Sequence, residues 1–178
     1  MRVLSKELKN EEVCLAMNDV ILNKTITIER CVNRIHDVYE GKPENLSDFT
    51  KQDSIILNIQ RACEASIDLA MHIVSERKLG VPKASREAFK LLQEADLIEA
   101  SLAKTLMNMV GFGNIAVHDY QSLELDILQA ILEKHIDDFK EFEKNFQIMG
   151  EKNYNDNKTC NYEEGYLTIQ DIPFIIQK

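Results

Sequence analysis

The sequence is short of helix-breaking residues. Its 178 residues include only six glycines and three prolines. Because the segments between these breakers are long enough for helices and too long for strands, the spacing predicts an all-α fold. The glycines stand at positions 41, 80, 111, 113, 150 and 165, and the prolines at 43, 82 and 173.

The four cysteines, at positions 14, 31, 63 and 160, form no CxxC pair and show no short repeat of spacing. That pattern is typical of reduced thiols and does not fit a disulfide framework or a zinc site. Long apolar runs are also missing, which excludes a membrane-spanning helix, and the charged first 20 residues lead us to expect no signal peptide. We therefore expect a cytoplasmic protein with no metal site.

Positive charge is scarce. The chain has 21 Lys and Arg against 30 Asp and Glu, which gives a net charge of −9. A protein that coats nucleic acid through a broad charged face would be basic, so any contact with RNA must be local and made by a few groups. At this length one domain can bury its own core without disulfides or metal.

The apolar periodicity predicts five helices in a bundle. The clearest pattern lies after Thr50, which we expect to cap the second helix, with Asp53 three residues later. Ser85 is the predicted cap of the third helix, and the fifth should be one continuous helix with His135 on its apolar seam. The predicted helices span about residues 18–40, 51–78, 85–93, 99–114 and 123–147.

Residues 149–178 differ in character from the bundle. They contain four asparagines and then an apolar end in which residues 166–170 alternate as in a strand, while Pro173 argues against a helix. A single strand is not stable alone in water. The tail must therefore pack on the bundle, pair with another chain or stay disordered.

One segment concentrates side chains that can do chemistry: GFGNIAVHDY, residues 111–120. His118 can shuttle a proton at neutral pH. If the helix continues, Asn114 and His118 share a face and could together bind a phosphodiester and move its 2′-hydroxyl proton. Asp119 either accepts a ring N–H of His118 or is a solvated carboxylate. The alternative for Asn114 and His118 is an ordinary pair of structural residues.

Other polar residues have simpler interpretations. We expect His36 and His72 to be solvated or capping, and His135 to be a core or dimer-edge residue. Tyr39 and Phe112 are predicted to pack in the core. The acidic cluster, residues Asp137, Asp138, Glu141 and Glu143, is typical of a solvated face. Its functional alternative is a docking surface for a basic partner.

The segment GFGNIAVHDYQ resembles the signature of HepT, a family of HEPN-fold toxins whose motif is an arginine and a histidine separated by four to six residues. Further stretches are similar to HepT sequences: MNDVILNK from Met17, FTKQDSIILNIQRACEASIDLAMHI from Phe49 and GVPKASREAFKLL from Gly80. The resemblance covers about Met17 to Gln147. It implies an N-terminal extension over residues 1–16, a HEPN helical-bundle domain over 17–148 and a tail over 149–178.

The resemblance also implies a function. Members of the family are metal-independent endoribonucleases without a cofactor, the toxins of a type VII-like toxin–antitoxin pair. Their partner is a minimal nucleotidyltransferase antitoxin. Two copies of the toxin dimerise, so that their two motifs together form one cleft that binds the RNA. By position, His118 is the acid–base residue and Asn114 the polar residue after the arginine. Tyr120 is the acceptor of AMP, whose bulk and charge would repel the RNA phosphate.

Gly113 departs from the family pattern, because it stands where the family has the arginine. A guanidinium offers a planar, charged fork for phosphate oxygens, and glycine offers none. Loss of one such donor typically costs roughly 10²–10³ in rate, so we expect a strongly impaired ribonuclease. The glycine is either a detoxifying change or a natural degeneration. The alternative function is a non-catalytic HEPN module that binds a nucleotidyltransferase.

Overall fold

The computed structural model describes residues 4–118 and 124–146, with side chains over 19–113 and 124–146. Every regular element in these ranges is helical, which confirms the all-α prediction. The elements are α1 (Leu4–Tyr39), a short 3₁₀ helix (Pro43–Ser47), α2 (Phe49–Glu76), α3 (Ser85–Glu94), α4 (Ala100–His118), α5 (Leu125–Lys134) and α6 (138–146). The predicted strand-like tail, residues 149–178, lies outside the described ranges.

Helix α2 is the centre of the bundle. It packs against α1, α3 and α4. The stripe predicted at spacings of three and four along α2 is buried throughout: Ile56, Ile59, Cys63, Ser66, Ala70 and Ile73. Lys24 on α1 forms an ion pair of 2.7 Å with Asp68 near the end of α2, as expected for two antiparallel helices joined by a short connection. The periodicity of α2 therefore predicted the main contact surface of the fold correctly.

Helix α1 is longer than predicted. It begins at Leu4 rather than near residue 18, because no glycine or proline interrupts the chain before Gly41. It ends where predicted: Glu40 and Gly41 both adopt positive φ, at 55° and 66°, and turn the chain out of the helix.

The predicted helix caps at Thr50 and Ser85 are wrong. Asp48 caps α2, since its Oδ1 accepts hydrogen bonds from the backbone N–H groups of Thr50 at 2.8 Å and Lys51 at 3.2 Å. The residue before α3 is Ala84, which has no side-chain acceptor. There Glu87, in the first turn, accepts a hydrogen bond from the backbone N–H of Lys83 instead.

The predicted fifth helix is two helices. α5 ends at Lys134, His135 adopts φ −130°, and α6 starts after a turn over residues 135–137. The turn shifts the helical register so that Leu128 and Leu132 of α5 and the three phenylalanines of α6 reach the core, while His135 is exposed. The buried residues of the predicted seam are Leu128, Leu132, Phe139, Phe142 and Phe146, and Leu125 is 40% exposed.

Two further features concern the wider organisation. Cys31 and Cys63 are free and buried, in line with the predicted reduced thiols. None of the described helices is long and apolar enough to cross a membrane.

Candidate functional site

Helix α4 carries the motif segment. It was expected to end near Asn114, but its backbone is helical from Ala100 through both Gly111 and Gly113 to His118. The apolar side of α4 explains this continuity, because its burial against the bundle outweighs the weak helix propensity of two glycines. The residues of α4 that are buried there include Leu102, Leu106, Met109 and Val110.

The helical backbone places the positions of Asn114 and His118 one turn apart on one face. This is the condition that the sequence argument required. Their side chains lie outside the described residues, as do Asp119 and Tyr120 altogether. The roles assigned to these four residues therefore stay predictions.

Gly113 is buried on the side of α4 that meets α2. A Cβ added there would lie 3.6 Å from Sγ of Cys63 and 4.0 Å from Cα of Gln60, both ordinary van der Waals distances. The position can therefore hold a side chain. That side chain would start at the interface with α2, about 140° around the helix from His118.

Cys63 packs beside Gly113 and has an unreactive thiol. Its side chain is buried, and burial, with a smaller contribution from the charge of Glu64, raises the pKa of its thiol to about 12. A thiol in this state is a poor nucleophile at neutral pH. Cys63 thus limits the space at position 113 and adds no reactive group to the motif.

Gly111 has a different neighbour. The guanidinium group of Arg86, on α3, lies against it: a Cβ at Gly111 would be 3.4 Å from Nη2 and 3.5 Å from Cζ and Nη1. Sequence reasoning missed Arg86. The residue lies inside the GVPKASREAFKLL stretch, but only the packing of α3 on α4 reveals that it adjoins the motif helix.

The three other histidines have different environments. His36 is exposed, as predicted, and its Nε2 lies 3.1 Å from Oδ1 of Asp137. His72 is half-buried rather than solvated, and its Nε2 has no hydrogen-bond partner among the described residues. His135 is exposed and lies 3.1 Å from Asp138, so the prediction of a core residue is wrong.

The two aromatic residues pack as predicted. Tyr39 is buried and donates a hydrogen bond of 3.1 Å to Oε1 of Glu133. Phe112 is partly buried against the core.

The predicted solvated acidic face is only partly correct. Asp137 and Glu141 are exposed, whereas Glu143 is 5% exposed and its Oε2 has no hydrogen-bond partner in the described part of the chain. Burial and the nearby charge of Glu29 on α1 raise the pKa of Glu143 to about 7, although Lys140 and Lys144 oppose the shift. Glu143 is thus a buried carboxyl of α6 near the charge of Glu29 on α1.

Comparison with known proteins gives consistent matches. The family described as Ribonuclease HepT-like matches residues 28–146. The mRNA nuclease HepT of Shewanella oneidensis is 51% identical over 126 residues, which are 71% of this chain and 95% of that protein.

Solved structures agree with the sequence match. The tri-AMPylated HEPN toxin of Shewanella oneidensis in complex with MNT antitoxin superposes with a TM-score of 0.69 at 48% identity, over 73% of this chain and 98% of that one. A toxin–antitoxin structure with AMP-PNP gives 0.68 at 48% identity, over 71% and 97% of the two chains. The helical bundle is therefore of the HEPN type, and the chain belongs to the HepT-like ribonuclease family.

Proposed function

We propose that this protein is the toxin of a toxin–antitoxin pair, built as a metal-independent endoribonuclease and weakened at Gly113. The observation that carries the proposal is the unbroken helix α4, which brings the positions of Asn114 and His118 onto one face. The mRNA nuclease HepT, 51% identical, supports the reaction class.

The reaction that suits these residues is attack of an RNA 2′-hydroxyl on the adjacent phosphorus. His118 takes the 2′-hydroxyl proton, the 2′-oxygen–phosphorus bond forms and the phosphorus–5′-oxygen bond breaks. A proton then passes to the departing 5′-oxygen, which leaves a cyclic phosphate and a free 5′-hydroxyl. Asn114 donates a hydrogen bond to a non-bridging phosphate oxygen. No step needs a metal or a cofactor.

Gly113 explains why we propose a weakened enzyme. The negative charge on the phosphate oxygens increases along the reaction, and the family arginine would be the fixed cation that stabilises it. Glycine supplies no charge at this position. The described structure offers room for a Cβ there, so the loss is one of charge rather than of fold.

We further propose a nucleotidyltransferase antitoxin as partner and Tyr120 as its AMP acceptor. Two related structures support this: one is a tri-AMPylated HEPN toxin in complex with MNT antitoxin, and another is a toxin–antitoxin with AMP-PNP. Tyr120 lies two residues after His118, so an AMP group there would bring negative charge beside the reacting phosphate. We also propose that the active species is a homodimer in which two copies of α4 share one RNA cleft.

The test is RNA cleavage without added metal and with a chelator present. The unsubstituted chain, Gly113→Arg and the double variant Gly113→Arg/His118→Ala are compared at equal concentration. Restored arginine should raise the cleavage rate by roughly 10²–10³, and the double variant should return to the background rate. Arginine-dependent cleavage that survives loss of His118 would remove His118 from the mechanism.

The second candidate function is a non-catalytic module that binds the nucleotidyltransferase. The glycine at 113 and the net charge of −9 favour it. If Gly113→Arg leaves RNA intact while the chain still binds the antitoxin, this second function replaces the first.

A further inference from the structure

Arg86 places a cation directly on the motif helix. Its guanidinium lies against the backbone of α4 at Gly111, with Cζ and both terminal nitrogens 3.4–3.5 Å from the position of a Cβ. The absence of a side chain at Gly111 lets the group approach this closely. In the described structure Arg86 remains an exposed residue, so a ligand from solution can reach its side chain.

The helical register connects this contact to the proposed site. Gly111 and His118 are seven residues apart in α4, which places them on nearly the same line of the helix, about 10 Å apart along its axis. Asn114 lies between them, one turn from Gly111. Lys104, exposed and seven residues before Gly111, continues the line in the other direction. Along this line of α4 the order is Lys104, then Gly111 with the guanidinium of Arg86 against it, and then the positions of Asn114 and His118. We call this set the row.

Within residues 19–113 and 124–146, whose side chains the structure describes, no acidic group forms an ion pair with the cations of this row, Arg86 and Lys104. In a chain of net charge −9, two cations on one row create a local field that would attract an anion which the rest of the surface repels. A guanidinium in particular offers parallel N–H donors that match two oxygens of a phosphate.

We propose that Arg86 binds a backbone phosphate of the RNA and is the main cation that holds the substrate along α4. The inference rests on the proposed function, because it takes RNA as the ligand, and it deepens that function by naming a contact outside the motif. It also explains how a chain without the arginine at position 113 can still hold RNA: the binding cation comes from α3. Arg86 then binds the RNA, whereas the cation at position 113 that would accelerate cleavage is still missing.

Exposure alone does not distinguish Arg86 from the other arginines. Arg34, on α1, is exposed and has no ion pair among the described residues either. Among the described residues no Cα atom of α1 lies within 8 Å of a Cα atom of α4. Arg34→Ala therefore removes the same charge from the protein without touching the proposed row, and it is the matched control.

The experiment measures binding of a fluorescent 2′-O-methyl single-stranded RNA oligonucleotide, which cannot be cleaved by 2′-hydroxyl attack. The full chain, Arg86→Ala, Arg86→Lys and Arg34→Ala are titrated at several salt concentrations. We expect Arg86→Ala to raise Kd about tenfold. The slope of log K against log salt should become less steep by about one, which corresponds to the loss of one phosphate contact. The Kd of Arg86→Lys should lie between those of Arg86→Ala and the unsubstituted chain, because lysine keeps the charge and loses the paired N–H donors of the guanidinium. Arg34→Ala should bind RNA like the unsubstituted chain.

The inference is overturned if Arg86→Ala and Arg34→Ala bind RNA equally, or if the unsubstituted chain shows no salt-dependent binding. It is also overturned if Arg86→Ala keeps RNA affinity and loses only affinity for the nucleotidyltransferase, because Arg86 then belongs to the antitoxin surface. Cleavage by Gly113→Arg separates the two proposals. If Gly113→Arg cleaves RNA equally well with and without Arg86→Ala, the proposed ribonuclease function stands and the role of Arg86 is wrong. If RNA binding depends on Arg86 but Gly113→Arg cleaves no RNA, the role of Arg86 stands and the ribonuclease function is wrong.

Discussion

The Cβ position of Gly113 lies 3.6 Å from Sγ of Cys63, across the interface between α4 and α2. This distance is an ordinary van der Waals contact, so the interface accepts a methyl group without moving the helices. The first carbon of any side chain at 113 would also lie 4.0 Å from Cα of Gln60, between α4 and α2. Substitution of Gly113 by alanine therefore tests backbone stiffness alone, and substitution by arginine tests the added charge.

Gly113→Ala should stabilise the fold without restoring cleavage. Alanine favours the helix over glycine by about 1 kcal/mol, and the added methyl fits against Cys63. We expect the free energy of unfolding in urea to rise by about 0.5–1 kcal/mol, with RNA cleavage still at background. Cleavage by Gly113→Ala would show instead that a loosened helix, and not a missing cation, explains a weak enzyme.

Tyr120→Phe should abolish AMP transfer to the chain. Phenylalanine keeps the ring and removes the hydroxyl that would attack the α-phosphate of ATP. Incubation with the cognate nucleotidyltransferase, ATP and Mg²⁺ should add AMP mass to the unsubstituted chain and none to the variant, as measured by mass spectrometry. Tyr154→Phe, a tyrosine in the tail, is the matched control and should label fully. Equal labelling of the unsubstituted chain and Tyr120→Phe would exclude Tyr120 as acceptor.

Asp48→Ala should destabilise the bundle by about 1 kcal/mol, the usual cost of losing a helix cap. The Asp48 carboxylate accepts hydrogen bonds from two backbone N–H groups that have no other partner at the start of α2. Thr50→Ala is the control and should change the free energy of unfolding by a few tenths of a kcal/mol at most. A larger effect at Thr50 than at Asp48, measured by urea unfolding, would contradict the observed cap.

The comparison of these two residues shows what the sequence could predict about the fold. The stripe of α2 could be predicted because apolar periodicity is a direct consequence of burial on one helical face. The cap could not, since Asp48 and Thr50 are both good capping residues and only the backbone geometry selects one. Nor does any glycine or proline mark the break at His135. That break follows from the packing of the core phenylalanines, among them Phe142, whose ring lies 5.6 Å from that of Phe89.

The site divides in the same way. The motif segment could be found in the sequence because its residues are close together in the chain, and the helix needed to align Asn114 with His118 is present. Arg86 is 25 residues before Gly111 in sequence and meets it only through the packing of α3 on α4. Contacts of this kind leave no periodic signal, so a single sequence does not reveal them.

Glu143 should make the stability of the fold depend on pH. Its carboxyl is 5% exposed, and burial together with Glu29 raises its pKa to about 7 from an ordinary value of 4.5. Between these two pH values the folded chain holds a proton that the unfolded chain has released. Its contribution to stability is therefore fully present below about pH 4.5 and is lost at about 1.4 kcal/mol per pH unit as the pH rises towards 7.

Glu143→Gln, which stays neutral at every pH, should remove this dependence. We expect the variant to be more stable than the unsubstituted chain at pH 8 by about 1–3 kcal/mol, and the difference to shrink towards pH 5. Urea unfolding at both pH values measures it. Glu141→Gln, an exposed neighbour on the same helix, is the matched control and should follow the unsubstituted chain. If both variants behave alike, the charge of Glu143 is solvated in the folded protein and its carboxyl is not buried.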